Sequence, residues 1–124
     1  MGKPILCLDF DGVIHSYISG WRGPTTISDP PVYGAMTFIS EASKEFKINI
    51  FSSRSHQKGG IRAMQTYLVN AGLKWDFVVH EIDWPVHKPP ATITIDDRAL
   101  CFTGKFPDIE NLKKFKVWDY NLNI

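Results

Sequence analysis

Cysteine is scarce: the 124 residues hold only Cys7 and Cys101, far apart and each within an apolar run. That is neither the dense, even spacing of a disulfide framework nor a C-x-x-C zinc signature, and it reads as two buried thiols in a reducing compartment. Long apolar runs are missing too. None approaches the roughly 18 residues of a membrane span, and the N-terminus lacks a secretion-signal pattern. A cytoplasmic location without a membrane partner is expected. Charge of one sign is also lacking, since 14 Lys+Arg against 13 Asp+Glu leave +1. No global field therefore favours long nucleic acid, although a local basic patch remains open. Hydrophobic residues at 44% and charged residues at 22% argue against disorder. There is no internal repeat, low-complexity tract or linker. The length fits one domain, 1–124, with no obligate protein partner evident.

What is present is an alternation of apolar runs and helix-like segments, which predicts an α/β fold with a mainly parallel sheet. Residues 5–10 (ILCLDF) form a short continuous apolar run, the pattern of a strand buried on both faces. Residues 15–33, rich in Gly, Pro, Ser and Thr, are too long for a simple turn and predict a structured loop near a site. Ala35, Phe38, Ile39, Ala42 and Phe46 recur at helical spacing, predicting a first helix over 31–46. A second strand is predicted at 47–51, and a second helix at 61–71 stopped by Gly72. Further strands are predicted at 77–79, 92–95 and 100–102, and a last helix opens at Pro107 and runs to Phe115.

In an open parallel sheet, ligands bind outside the carboxyl ends of the strands. The polar clusters fall there: Asp9 and Asp11 after the first strand, Ser52 after the second, Asp96 and Asp97 after the run at 92–95. Four acids meeting at one end repel unless a cation sits among them. Oxygen ligands select a hard divalent ion, and magnesium fits best where phosphate oxygens complete the shell. Phosphoryl transfer needs this equipment. One carboxylate attacks phosphorus. A second, two residues on, gives a proton to the leaving oxygen and then activates water. Metal and lysine offset the phosphate charge.

The runs DFDGVIH (9–15), FSSR (51–54), HKPPA (87–91) and TIDDRA (94–99) resemble the four motifs of the haloacid dehalogenase superfamily, in the family's order and over nearly the whole chain. The resemblance implies a single Rossmann-like three-layer domain without a cap, for which the segments after Gly12 and Gly72 leave no room. It implies Asp9 as nucleophile and Asp11 as acid/base. Magnesium would be held by Asp9, the Asp11 backbone carbonyl, Asp96 directly and Asp97 through water. Ser52, with Gly12 and Ser53 beside it, would bind phosphate. FSSRS with IDDRA also resembles the 3′-phosphatase domains of polynucleotide kinase–phosphatase enzymes, which implies Arg54 at the phosphate. Lys88 is expected to supply the positive charge, although it lies only eight positions before Asp96. A strand between them climbs roughly 13–17 Å, so Lys58, Arg54 and Arg98 stand as alternatives.

Plainer readings exist for each residue. Asp11-Gly12 is common turn punctuation, but that leaves Asp9 unexplained. Ser52 and Ser53 can equally cap a loop, Arg54 can pair with an acid, and Asp96-Asp97 can cap a turn. His15, His56, His80 and His87 lack a shared ligand spacing and read as ordinary surface or loop residues. Trp21 and Trp84 either stack on a nucleobase or cover a core edge. The preferred function is a phosphomonoesterase, its uncapped site accepting a nucleic-acid 3′-phosphate end. The alternatives are a small-metabolite phosphatase and a phosphate-binding relative without much activity. A phosphoacceptor receiver domain is disfavoured, because it carries its acidic pair after the first strand rather than late in the chain.

Overall fold

The apolar run ILCL forms β1 (Ile5–Leu8), the centre of a three-stranded parallel sheet in the order β2-β1-β3, with β2 at Lys47–Ile50 and β3 at Ile93–Ile95. The computed structural model describes residues 2–118. Register places Ile48, Leu6 and Ile93 in one row and Ile50, Leu8 and Ile95 in another. Side chains alternate across a strand, so these rows share one face, while Asn49, Cys7 and Thr94 lie on the other. β1 is buried on both faces, as its continuous apolar pattern predicts. β3 is an exposed edge strand, with Ile93 half-exposed.

Two helices follow the strands, α1 (Ala35–Ala42) and α2 (Gly60–Asn70). Ile39 of α1 and Met64 and Leu68 of α2 join Leu6, Leu8, Phe10, Ile48 and Ile50 in one buried cluster. Burying side chains of this size contributes about 1.5–3 kcal/mol each relative to exposure. The first helix is shorter than its apolar spacing suggests. Val32 donates its backbone N–H to the Ile14 carbonyl at 2.8 Å, which holds 30–32 against the loop, and left-handed Gly34 then begins the helix. At the far end of α2 the expected stop is found. Gly72 takes φ 120°, Leu73 N–H returns to the Leu68 carbonyl and Gly72 N–H to that of Val69.

The strand expected at 77–79 is instead a π-helical turn, Phe77–Glu81. Phe77 and Val78 of this turn, with Leu73 before it and Ile82 after it, pack into the core, and the consecutive apolar letters do not distinguish this from a strand. Sheet pairing on that side falls to Asp83, whose N–H donates to the Ile48 carbonyl at 2.9 Å and whose carbonyl accepts from Ile50. No strand forms at 100–102; Leu100 and Phe102 are exposed coil, and Cys101 is exposed rather than buried. The last helix, α3, is limited to Ile109–Lys113. Among the described residues no helix is long and apolar enough to cross a membrane. The molecule is thus a small α/β fold on a parallel sheet.

Candidate active site

Backbone pairing continues one residue past β1, where Asp9 N–H donates to the Ile95 carbonyl at 3.0 Å. The ladder therefore fixes Asp9 at the sheet's carboxyl end, beside the residues that leave β3. There Asp9, Asp96 and Asp97 bring carboxylate oxygens within 4.8 Å of one another. Burial, followed by the charge of Asp96 and the hydrogen-bonded Asp97, pushes the Asp9 carboxyl up to about 8. Asp97 is raised as well, chiefly by burial. Its side chain is 4% exposed, and its Oδ1 is buried without a hydrogen-bond partner. Asp96 differs, being exposed and accepting the Arg98 N–H at 2.8 Å. An orphaned buried oxygen among crowded, all-oxygen donors is a set that a hard divalent cation would satisfy.

The four acids expected to meet are in fact three. Asp11 turns its carboxylate away, toward His15 and Arg54. His15 Nδ1 lies 2.8 Å from Asp11 Oδ1, and Arg54 Nε lies 3.0 Å from Asp11 Oδ2. The other ring nitrogen of His15 accepts the Asp29 backbone N–H at 3.1 Å, so Nδ1 carries the proton and donates to Asp11. Burial alone would raise Asp11, but the hydrogen bonds from His15 and Arg54 outweigh it and hold the carboxyl below its usual range. Two carboxyls two residues apart are thereby driven in opposite directions by their surroundings.

Directly after Asp11, Gly12 adopts φ 86°, and a Cβ there would overlap the Asp97 carboxylate. Gly12→Ala is expected to cost about 1–3 kcal/mol through left-handed strain and overpacking, and to displace Asp97. A thermal melt checks it, and an unchanged melting temperature would refute this packing. The Gly12 carbonyl also accepts the indole N–H of Trp118 at 2.7 Å, a contact spanning 106 positions that no local pattern announces.

Lys88 lines a cavity of about 280 Å³ together with Cys7, Asp9, Phe51, Thr94, Asp96 and Ala99. Its eight-residue separation from Asp96 thus still brings both residues to one cavity. Of the alternative cations, Arg98 lies 3.8 Å from Asp97 and is 65% exposed, while Lys58 is exposed. Ser52 is buried, its Oγ accepts the Arg54 N–H at 3.1 Å and its own N–H donates to Ser55 Oγ. It therefore acts as a cap of the turn after β2, with its hydroxyl proton free to donate. Ser53 is exposed and contributes its carbonyl to Gln57.

Arg54 departs furthest from expectation. It is completely buried, its guanidinium engaged by Asp11 and by the carbonyls of Gly23, Pro24 and Thr26 at 2.9–3.2 Å. The Trp21 ring stacks on it at 4.7 Å, so that indole covers an arginine. Trp84 covers the core edge and donates to the Val78 carbonyl. His15, read as an ordinary loop histidine, is 1% exposed with both nitrogens engaged. The other three histidines are exposed. The available signal for His15 was its place four residues after Asp11, directly after an apolar Ile14.

No family model matches the chain, and neither a curated protein nor a solved structure is found similar to it.

Proposed function

We propose that the chain is a magnesium-dependent phosphomonoesterase of the haloacid dehalogenase type, with the capless, Rossmann-like three-layer architecture of that family, working through an aspartyl phosphate on Asp9. The observation that carries this reading is the convergence of Asp9, Asp96 and Asp97 at the strand ends, beside a cavity that Lys88 also lines. Strands this apolar have no structural need for three crowded carboxylates. In this reading an Asp9 oxygen forms a bond to phosphorus as the ester P–O bond breaks. Asp11 would supply a proton to the leaving oxygen, which requires its carboxyl to leave the contacts with His15 and Arg54 that hold it ionised. Water then attacks phosphorus, Asp11 takes its proton, and phosphate departs with Asp9 restored.

The ion would be held by Asp9, Asp97, Asp96 and the Asp11 carbonyl, with Asp97 favoured as a direct ligand by its orphaned oxygen. When bound, magnesium would offset phosphate charge and keep Asp9 ionised at neutral pH. Lys88 neutralises a phosphate oxygen from across the cavity, and the Ser52 hydroxyl donates to another. A cytoplasmic phosphate ester is the substrate, and an uncapped site suits a nucleic-acid 3′-phosphate end. A second reading, a phosphate-binding relative with little turnover, is favoured by one observation: Asp11 faces His15 and Arg54 rather than Asp9.

The test is phosphate release from 3′- and 5′-phosphorylated oligonucleotides, mononucleotides, sugar phosphates and an aryl phosphate, with magnesium or with EDTA. Magnesium-dependent release that EDTA abolishes is expected, with preference for one oligonucleotide end. Preference for a sugar phosphate or mononucleotide would keep the chemistry and overturn the substrate. Binding of phosphate without release from any ester would establish the second reading.

A further inference from the structure

We infer that Arg54 is a positioning residue that joins the 15–33 loop and the Asp11 carboxylate into one unit, instead of a ligand for the substrate phosphate. The inference rests on the phosphatase reading for its kinetic consequence and on the geometry alone for the coupling. A phosphate-binding arginine presents its fork to the ligand cavity. Here all three nitrogens of the fork are engaged by protein groups. Nε and Nη2 address Asp11, at 3.0 Å to Oδ2 and 3.1 Å to Oδ1, and Nη1 addresses three loop carbonyls. Arg54 is 0% exposed and is absent from the cavity that Asp9, Asp96 and Lys88 line.

Each neighbour serves the same clasp. Trp21 closes one face of the guanidinium at 4.7 Å, and Phe10 lies 5.9 Å from its carbon. Ser52 and the turn after β2 fix the Arg54 backbone through the 3.1 Å bond to its N–H. Gly60 packs so tightly on the Arg54 carbonyl that a Cβ there would overlap it. On the other side of Asp11, His15 links the carboxylate to Asp29 of the same loop. The loop is thus tied to Asp11 twice, once through Arg54 and once through His15. A lysine cannot replace this fork, because one ammonium cannot reach a carboxylate and three carbonyls in separate directions.

Hydrogen–deuterium exchange of 20–28 and steady-state kinetics on an aryl phosphate, using the full chain, test the coupling. Arg54→Lys and Arg54→Ala should each speed exchange of the loop about tenfold or more, given the loss of charged hydrogen bonds. Asp11→Ala, or Asp11→Asn if the alanine protein does not fold, should speed it as well, although the Asp11 carboxylate bonds His15 and Arg54 and not residues 20–28. Turnover should fall about 100-fold in Arg54→Lys with KM within about threefold of wild type, the mark of a misplaced group rather than a lost ligand. Loop protection left intact in the Asp11 variants would overturn the coupling. A KM rise with kcat preserved, largely rescued by lysine, would instead make Arg54 a phosphate ligand. A wild type that releases no phosphate defeats the phosphatase reading, while the exchange arm still decides the clasp.

Discussion

The Asp9→Asn protein should release phosphate at least about 10⁴-fold more slowly than wild type, the scale of losing a nucleophile, and yet be the more stable protein without metal. Both effects have one origin. Asp9 is buried beside Asp96 and Asp97, which pushes its carboxyl up to about 8. An unfolded aspartate titrates near 3.9. The native state therefore holds a proton that the unfolded state has lost over the intervening range. The contribution of that proton to stability is full below about pH 4 and is lost as pH rises through about 8. A carboxamide at this position has no such proton to lose. The advantage of Asp9→Asn should accordingly grow from pH 5 to pH 8 in EDTA, and magnesium should narrow it by stabilising ionised Asp9 in the wild type. Thermal melts at the two pH values read this directly. Equal pH slopes for the two proteins would sink the crowded-carboxylate account, and retained hydrolysis would sink the covalent mechanism.

Asp11→Asn carries the second large effect, and its pattern is more informative than its size. Alkyl phosphate hydrolysis should fall about 10²–10⁴-fold, the usual contribution of a positioned acid or base. An aryl leaving group departs without a proton, so the first step survives there. Opening of the acyl phosphate still needs a base, and the variant should release one equivalent of aryl alcohol per chain and then stall. A linear time course at the wild-type rate would remove Asp11 from the chemistry. Stability also falls, by about 3 kcal/mol, because the buried Arg54 loses its counter-charge. Its pH signature is opposite to that of Asp9. The depressed Asp11 carboxyl contributes stability above the ordinary aspartate range, lost as pH falls through its folded value. The asparagine protein should lack that acid-side loss.

Much of the frame was legible because burial leaves a periodic mark. The run at Ile5–Leu8 and the KINI run at Lys47–Ile50 become strands, and Gly72 ends α2 as a left-handed stop should. Errors arose where one local pattern serves two structures. Phe77 and its valine neighbours satisfy a strand read letter by letter, whereas the turn that brings Phe77 and Val78 to the core between Leu73 and Ile82 shows only in the folded chain. Leu100 and Phe102 have strand-like composition but no partner beyond β3 among the described residues, so composition alone did not make a strand.

At the site the division is sharper. Carboxylates at the ends of apolar strands are a property of the string, since parallel strands carry their C-termini to one edge whatever the side chains do. The sequence by itself thus determined the parallel α/β scaffold and the gathering of Asp9 with Asp96 and Asp97 at its tip. Which acid stays out of that cluster could not be read there. Arg54 reaches Asp11 across 43 positions, and it does so only because the 15–33 loop folds back and lends three carbonyls to the same guanidinium. His15 becomes buried for the same reason, when Asp29 closes on it. Partner choice among polar side chains is settled by which backbone groups the closed loop leaves unsatisfied, and only the tertiary structure decides that.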